Sequence, residues 1–233
     1  GRPLASLLKP RQDLAEVGAS PLPAITQELR LFARQKPADQ AQPLLVIGRL
    51  QEGHDHHGVP IGVKGRVDTR RLALLPRIGA QVEILFVGIG AAATGLRPII
   101  DIMFMDFMTV CMDQLVNQAA KMKYMFGGKA RLPLTIHTMA GGGRSMAAQH
   151  SQSLEAWFCH VPGLKVVMPS GPYEAKGLLV SAVRDDNPVI VANVKTILAH
   201  RAHVPEELYA IPLGKAHIVR PGSNFTIVAT GRM

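Results

Sequence analysis

Beyond residue 80, short apolar segments alternate with longer segments in which apolar residues recur at helical intervals. The short segments predict strands, which we place at residues 98–104, 134–138, 165–168 and 188–191. The longer segments predict helices, which we place at residues 86–96, 107–126 and 173–184. Parallel neighbours need crossover connections, so this alternation favours an α/β fold, a mostly parallel sheet with helices on both faces.

The first 80 residues differ in composition from the rest of the chain. All ten Met and all three Tyr residues lie beyond residue 80, and only Phe32 of the seven Phe residues comes earlier. Within this region we predict a disordered leader at residues 1–20, a helix at 24–34 and a short strand at 44–47.

A last apolar run, at residues 225–229, predicts a strand that no helix follows. We therefore expect a main domain at residues 21–205. Residues 206–233 are expected to form a linker and the first strand of a C-terminal domain that is cut short.

The composition narrows the class of protein. Hydrophobic residues make up 47% and charged residues 18%, which is typical of a globular chain, and no apolar run approaches the ~20 residues of a membrane span. Cys111 and Cys159 are the only cysteines. We expect both thiols to be buried, in a reducing compartment that is either the bacterial cytoplasm or an organelle matrix.

The formal net charge of +9 raises the question of a nucleic-acid partner. The Lys and Arg residues are scattered, and no basic cluster interleaved with aromatic residues accompanies them. We therefore expect no nucleic-acid binding, and an acidic protein partner explains the charge equally well.

Five segments occur in an order and spacing that are specific together, although each alone is weak. They are GLRPII at 95–100, DQLVNQAAK at 113–121, AQHSQ at 148–152, PGLKVV at 162–167 and AVRDDNPV at 182–189. Together they resemble the beta subunits of the pyruvate, acetoin and branched-chain 2-oxo acid dehydrogenases (decarboxylating component). The resemblance implies a transketolase-like pyrimidine-binding domain.

The resemblance also implies a cofactor and partners. In that family thiamine diphosphate lies between subunits, and an alpha subunit holds the diphosphate and magnesium with a Gly-Asp-Gly motif that this chain lacks. The expected assembly is an alpha2beta2 heterotetramer that passes acyl groups to the lipoyl groups of a dihydrolipoyl acyltransferase. Pyruvate or acetoin is the expected substrate.

Glu83 matches the carboxylate that activates the cofactor in this family. A glutamate hydrogen-bonded to the pyrimidine stabilises the imino tautomer, whose nitrogen removes the thiazolium proton. Without the resemblance, a Glu at a helix start is usually a surface residue that compensates the helix dipole.

Three further residues match positions close to the cofactor. His150 matches a histidine near the thiazolium and the substrate, with a role in acyl transfer. Phe107 and Met103 match residues that pack on the aminopyrimidine, although both positions also fit ordinary core residues.

Four positions match a structural potassium site in relatives. Oxygen ligands of this kind suit a hard cation, but a helix C-terminus closed by an Asx turn explains the same pattern equally well. The four residues are Leu134, Ala182, Asp185 and Asn187.

Some positions depart from the family. Arg49 stands where relatives carry a glutamate, residues 66–82 match nothing in the family, and Ala192 replaces another glutamate. Two interpretations follow: an active enzyme subunit, or a non-catalytic truncated remnant that retains only subunit assembly.

Overall fold

The computed structural model describes residues 44–48 and 80–231, with side chains from Gln81 onward. The predicted leader at residues 1–20 and the predicted helix at 24–34 lie outside the described residues, as does Arg49. The predicted strand at 44–47 is present as β1.

Five strands and four α-helices occur among the described residues. The strands are β1 (Leu44–Gly48), β2 (Arg97–Phe104), β3 (Thr135–Ala140), β4 (Lys165–Val167) and β5 (Val189–Val194). The α-helices are α1 (Ala80–Ala93), α2 (Ala120–Met125), α3 (Glu155–Cys159) and α4 (Pro172–Arg184). Three 3₁₀ helices (Met105–Cys111, Ala148–His150 and Lys195–Ile197) and one π-helix (Asp113–Ala119) complete the set.

The strands form one parallel sheet in the order β1-β2-β3-β5-β4, which confirms the predicted fold class. Ile100, Ile136 and Ile190 lie side by side on the three central strands. Residues 189–192 of β5 are all buried, although neighbours along a strand point to opposite faces. Both faces of the sheet are therefore covered, as expected for parallel strands.

The predicted helix at 86–96 is displaced. Helix α1 begins at Ala80 and ends at Ala93, and Gly95 follows it with a φ of +96°. Gly88 sets the distance between α1 and β2, because a Cβ atom there would lie 2.2 Å from Cδ1 of Ile100. The apolar run after Ala80 resembles a strand in sequence, which explains the late predicted start.

The predicted helix at 107–126 is helical throughout, but most of it is not α-helical. Met105, Met108 and Cys111 are fully buried at a spacing of three, which matches the 3₁₀ period. Cys111, Leu115 and Ala119 then follow at a spacing of four, which the wider π-helix keeps on the same side. The predicted stop at Gly127 and Gly128 is confirmed, since both have positive φ.

The predicted strand at 225–229 is not formed. These residues have no regular secondary structure, and Phe225, Ile227 and Val228 are exposed. An apolar run becomes a strand only where a neighbouring strand supplies hydrogen bonds. Among the described residues no strand lies beside residues 225–229 to supply them.

Candidate active site

The carboxyl end of β2 carries the first part of the candidate site. Ile102 pairs with Thr138 and Phe104 pairs with Met139, so Met103 is an extra residue that forms a bulge. Bulges bend a strand and redirect its side chains, and they are frequent beside functional sites. The chain then turns into the 3₁₀ helix that carries Phe107.

Phe104, Phe107 and His150 form an aromatic cluster at this edge of the sheet. The His150 ring lies edge-on to both phenyl rings, with centroid separations of 4.9 Å to Phe104 and 5.3 Å to Phe107. The two phenyl rings are 6.2 Å apart. These separations are typical of favourable edge-to-face contacts, so the orientation of the imidazole is defined by packing.

A cleft of about 190 Å³ opens beside this cluster. Its lining combines apolar side chains with a few polar ones: Gln81, Ile84, Asp101, Ile102, Met103, Phe104, Phe107 and His150. Three of the four predicted cofactor-binding residues therefore meet in one cleft. Because sites for whole small molecules usually measure roughly 300–1,000 Å³, this cleft suits one ring of a larger ligand.

Glu83 does not line the cleft but lies in the helical turn beside it. It is half-buried in the first turn of α1, between the lining residues Gln81 and Ile84. Its Oε2 atom is buried and has no hydrogen-bond partner among the described residues. A buried carboxylate oxygen without a partner is costly, so this atom fits a hydrogen-bonding group of a ligand.

The glycine-rich segment after β3 leads directly to His150. Gly141 and Gly143 have φ values of +82° and +88°, which glycine adopts readily. Ser145 and Ala147 also have positive φ, at +52° and +62°, where a side chain causes strain. Residues 143–149 are exposed.

Lys195 is a site residue that the sequence analysis missed. It follows β5, is only 2% exposed, and donates hydrogen bonds to the carbonyl oxygens of Gly141 (2.7 Å) and His150 (2.6 Å). Burial lowers the pKa of its ammonium group, while the negative charge of Asp106 raises it. In the sequence, Lys195 could have been noticed because it lies within the mostly apolar segment 194–198.

Asp101, His137 and Asn193 form a second missed group. The Nδ1 atom of His137 lies 3.1 Å from Oδ1 of Asp101, and Asn193 Nδ2 lies 2.8 Å from Nε2. With Asn193 donating to Nε2, the ring proton lies on Nδ1 and points to Asp101, which lines the cleft. In the sequence, these three residues could have been identified as polar residues inside otherwise apolar strands.

The four residues of the predicted potassium site lie at the opposite end of the sheet from the cleft. The carbonyl of Leu134, just before β3, accepts a hydrogen bond from Val189 (2.9 Å), and that of Ala182 accepts one from Asp185 (3.2 Å). Asp185 Oδ1 accepts from the backbone and side-chain nitrogens of Asn187, which is an Asx turn.

Asp185 also forms an ion pair at this end of the sheet. Its Oδ2 atom lies 2.5 Å from Nζ of Lys165. Burial alone would raise the pKa of Asp185, but the hydrogen bonds from Lys165 and Asn187 bring it below its ordinary value. The carboxylate is therefore ionised and engaged within this chain.

Within residues 80–231 no three His, Cys, Asp or Glu side chains come together in an arrangement that could hold a metal ion. In the same part of the chain no helix has the length and apolar character needed to span a membrane.

Comparison with known proteins gives a consistent family. Residues 83–200 match the family described as "Transketolase, pyrimidine binding domain". The chain is 56% identical over 153 residues to the acetoin:2,6-dichlorophenolindophenol oxidoreductase subunit beta of Cupriavidus necator, covering 65% of this chain and 45% of that protein.

Two further relatives carry other substrate names. The pyruvate dehydrogenase E1 component subunit beta of Porphyra purpurea is 47% identical, over 66% of this chain and 46% of that protein. The 2-oxoisovalerate dehydrogenase subunit beta of Bacillus subtilis is 40% identical, over 75% of this chain and 56% of that protein. The chain thus spans about half the length of the relatives that it matches.

Proposed function

Because the chain belongs to the transketolase pyrimidine-binding domain family, we propose that it acts as the beta subunit of a thiamine-diphosphate-dependent 2-oxo acid or acetoin dehydrogenase. One observation carries the proposal: Met103, Phe107 and His150 line a single cleft. The unpartnered Oε2 atom of Glu83 lies in the helical turn beside it. The alternative of a non-catalytic remnant has no comparable support.

The cleft residues fit the aminopyrimidine end of the cofactor. Phe107 and Met103 offer apolar surface to a flat ring, and the volume of the cleft suits one ring rather than a whole cofactor. Glu83 Oε2 lacks a partner in the chain, and a ring nitrogen would supply one. When bound, thiamine diphosphate supplies a thiazolium carbanion that adds to a substrate carbonyl.

The residues of this chain would then position groups and move protons. Glu83 would hold a proton for a pyrimidine nitrogen at Oε2, and the burial of that atom would strengthen the hydrogen bond. His150 would exchange a proton with a substrate oxygen. Phe104 and Phe107 hold the imidazole edge-on.

The substrate belongs to the proposal. The relative named for acetoin is 56% identical, against 47% for the one named for pyruvate. This difference favours acetoin as the first substrate to test, with pyruvate second and 2-oxoisovalerate third.

The partners and the remaining cofactors are proposals of the same kind. We propose an alpha subunit that holds the diphosphate and magnesium, an alpha2beta2 assembly, and a dihydrolipoyl acyltransferase as the acyl acceptor. The two free cysteines agree with a reducing compartment such as the bacterial cytoplasm or an organelle matrix. Residues 206–233 are proposed to lead into a further domain.

Potassium remains a proposal for the far end of the sheet. The carbonyl oxygens of Leu134 and Ala182 each accept one hydrogen bond and keep a second lone pair, which suits a hard cation. The carboxylate of Asp185 is already engaged by Lys165 and Asn187. A higher melting temperature in KCl than in LiCl at equal ionic strength would support the site, and equal melting temperatures would contradict it.

The test of function is reconstitution. We would co-express the full-length chain with the alpha subunit and assay acetoin, pyruvate and 2-oxoisovalerate, with and without thiamine diphosphate and magnesium. We expect turnover that requires the cofactor and one preferred substrate. A well-assembled complex without turnover on any of the three would favour the assembly-only interpretation.

A further inference from the structure

The side chain of Lys195 joins the two ends of the segment that carries His150. Its Nζ atom donates to the carbonyl of Gly141 at 2.7 Å and to the carbonyl of His150 at 2.6 Å. We call residues 141–150 the glycine loop. Because both ends of this loop bind the same ammonium group, the lysine holds the two ends together. We call these two ends the base of the loop.

Two further interactions reinforce the base of the loop. The amide of Gly141 donates to the carbonyl of Gln152 at 2.9 Å. Asp106 Oδ1 accepts from the backbone nitrogen of Gln152 at 3.1 Å and from its side-chain nitrogen at 2.9 Å. Asp106 is itself buried, and its charge favours the protonated form of Lys195. Lys195 and Asp106 therefore each hold one part of the base through hydrogen bonds.

The body of the glycine loop has little to hold it. Residues 143–149 are exposed, and Ser145 and Ala147 adopt positive φ angles that non-glycine residues rarely take. Such strain persists only where the surrounding structure imposes it. If the base opened, the loop would relax and carry His150 away from its present position.

Lys195 also contacts the wall of the cleft. Its Nζ atom lies 4.9 Å from the centroid of the Phe104 ring, a cation–π distance, and that ring stands edge-on to His150. The same ammonium group thus fixes the backbone of His150 and one of the two rings that orient its imidazole.

We propose that Lys195 is a positioning residue: it holds His150 in the cleft by clamping both ends of the glycine loop, without touching the reacting groups. The expected effect of Lys195 on turnover rests on the proposed function, whereas its effect on the structure of the glycine loop does not.

The experiment compares Lys195→Met with wild type in the full-length chain assembled with its alpha subunit. Methionine preserves the bulk and removes the charge, which leaves two carbonyls without a donor. Hydrogen exchange of the hydrogen-bonded amides of Gly141, Ser151 and Gln152 should accelerate at least tenfold. Turnover should show a kcat at least tenfold lower with KM for the substrate within threefold of wild type, and Lys195→Arg should restore part of both.

Lys176 offers a matched control. It is also buried and donates to two backbone carbonyls, those of Pro205 (2.6 Å) and Glu206 (3.2 Å), and it lies on α4 rather than at the cleft. In Lys176→Met, faster exchange should be confined to the neighbourhood of residues 205–206, and kcat should stay at the wild-type value.

The outcomes separate clearly. Unchanged exchange of the Gly141, Ser151 and Gln152 amides in Lys195→Met would overturn the clamp, whether or not kcat changes. Faster exchange with unchanged kcat would overturn the positioning role. A complex without wild-type activity would defeat the proposed function, yet the exchange measurement would still decide the clamp.

If Lys195→Met fails to assemble, wild-type exchange provides the decision. The amides of Gly141 and Gln152, which close the base, should then be protected at least tenfold more than those of residues 143–147. Equal protection would overturn the clamp.

Discussion

The imidazole ring of His150 stands edge-on to the phenyl ring of Phe107, with 5.3 Å between the centroids and 89° between the planes. Phe107 follows β2, and His150 is the last residue of the glycine loop after β3, which is the neighbouring strand. The contact therefore joins two segments at the carboxyl edge of a parallel sheet. This edge is where open α/β sheets usually bind ligands.

Replacing His150 by Phe should separate packing from chemistry. A phenyl ring can keep the edge-to-face contacts, which are worth about 0.5–1.5 kcal/mol, but it cannot carry a proton. We expect an unfolding midpoint in urea close to that of wild type. We expect kcat to be reduced about 10²-fold or more. A kcat within twofold of wild type would exclude the proposed role of His150. The same exchange at the exposed His160 should leave kcat unchanged.

Alanine at Gly88 should destabilise the fold. The added Cβ would lie 2.2 Å from Cδ1 of Ile100, which is fully buried, so either the Ile100 side chain must repack or α1 must shift away from β2. We expect a loss of about 1–3 kcal/mol in the free energy of unfolding, measured by urea titration. Alanine at Gly90, where a Cβ meets nothing within 4 Å, should instead stabilise the helix by about 0.5–1 kcal/mol. Equal effects at the two positions would contradict the close approach of α1.

The two cysteines should differ in reactivity. Cys111 is buried as expected, and burial raises the pKa of its thiol to about 12. The expectation was wrong for Cys159, which is exposed. Because the thiolate is the reactive form, iodoacetamide at pH 8 should label Cys159 in the native protein and spare Cys111 until urea is added. Mass spectrometry of the tryptic peptides gives the two rates. Early labelling of Cys111 would contradict its place in the core.

The ion pair of Asp185 should make stability depend on acid. Its pKa in the folded protein lies below the ordinary value, so the ionised carboxylate stabilises the fold above the pKa of the unfolded chain. That contribution is lost as the pH falls through the lowered pKa of the folded state. Asp185→Asn should therefore be less stable than wild type at pH 7, and the difference should shrink toward pH 2.5 in urea titrations. A difference that stays constant with pH would contradict the assignment.

Much of the sheet could be predicted from the sequence, because buried parallel strands are short apolar runs bounded by helices. The change from 3₁₀ to π geometry between Met105 and Ala119 could not be. Spacings of three and four both fit an average α-helix, and only the packing of Met108 and Leu115 in the hydrophobic core selects the local period. The predicted strand at 225–229 failed because strand formation depends on a neighbour that the apolar pattern does not specify.

The candidate site was predicted unevenly. Met103, Phe107 and His150 were identified through the resemblance to a family, and the fold brings all three to one cleft. Lys195 was not predicted as a site residue because a lysine is most often a surface residue. Its importance depends on two carbonyls that lie about fifty positions earlier in the chain, a proximity that residue type and spacing do not reveal.

The central claim is that Glu83 activates thiamine diphosphate from the turn beside the cleft. The most direct test is Glu83→Gln in the full-length chain assembled with its alpha subunit, with Glu155→Gln as control. Glu155 also lies in the first turn of a helix and has a buried Oε2 without a hydrogen-bond partner among the described residues. No residue of its helix lines the cleft, whereas Gln81 and Ile84 on either side of Glu83 do. We predict that cofactor-dependent kcat falls about 10²-fold or more in Glu83→Gln and is unchanged in Glu155→Gln. Wild-type turnover in an assembled Glu83→Gln complex would contradict the account.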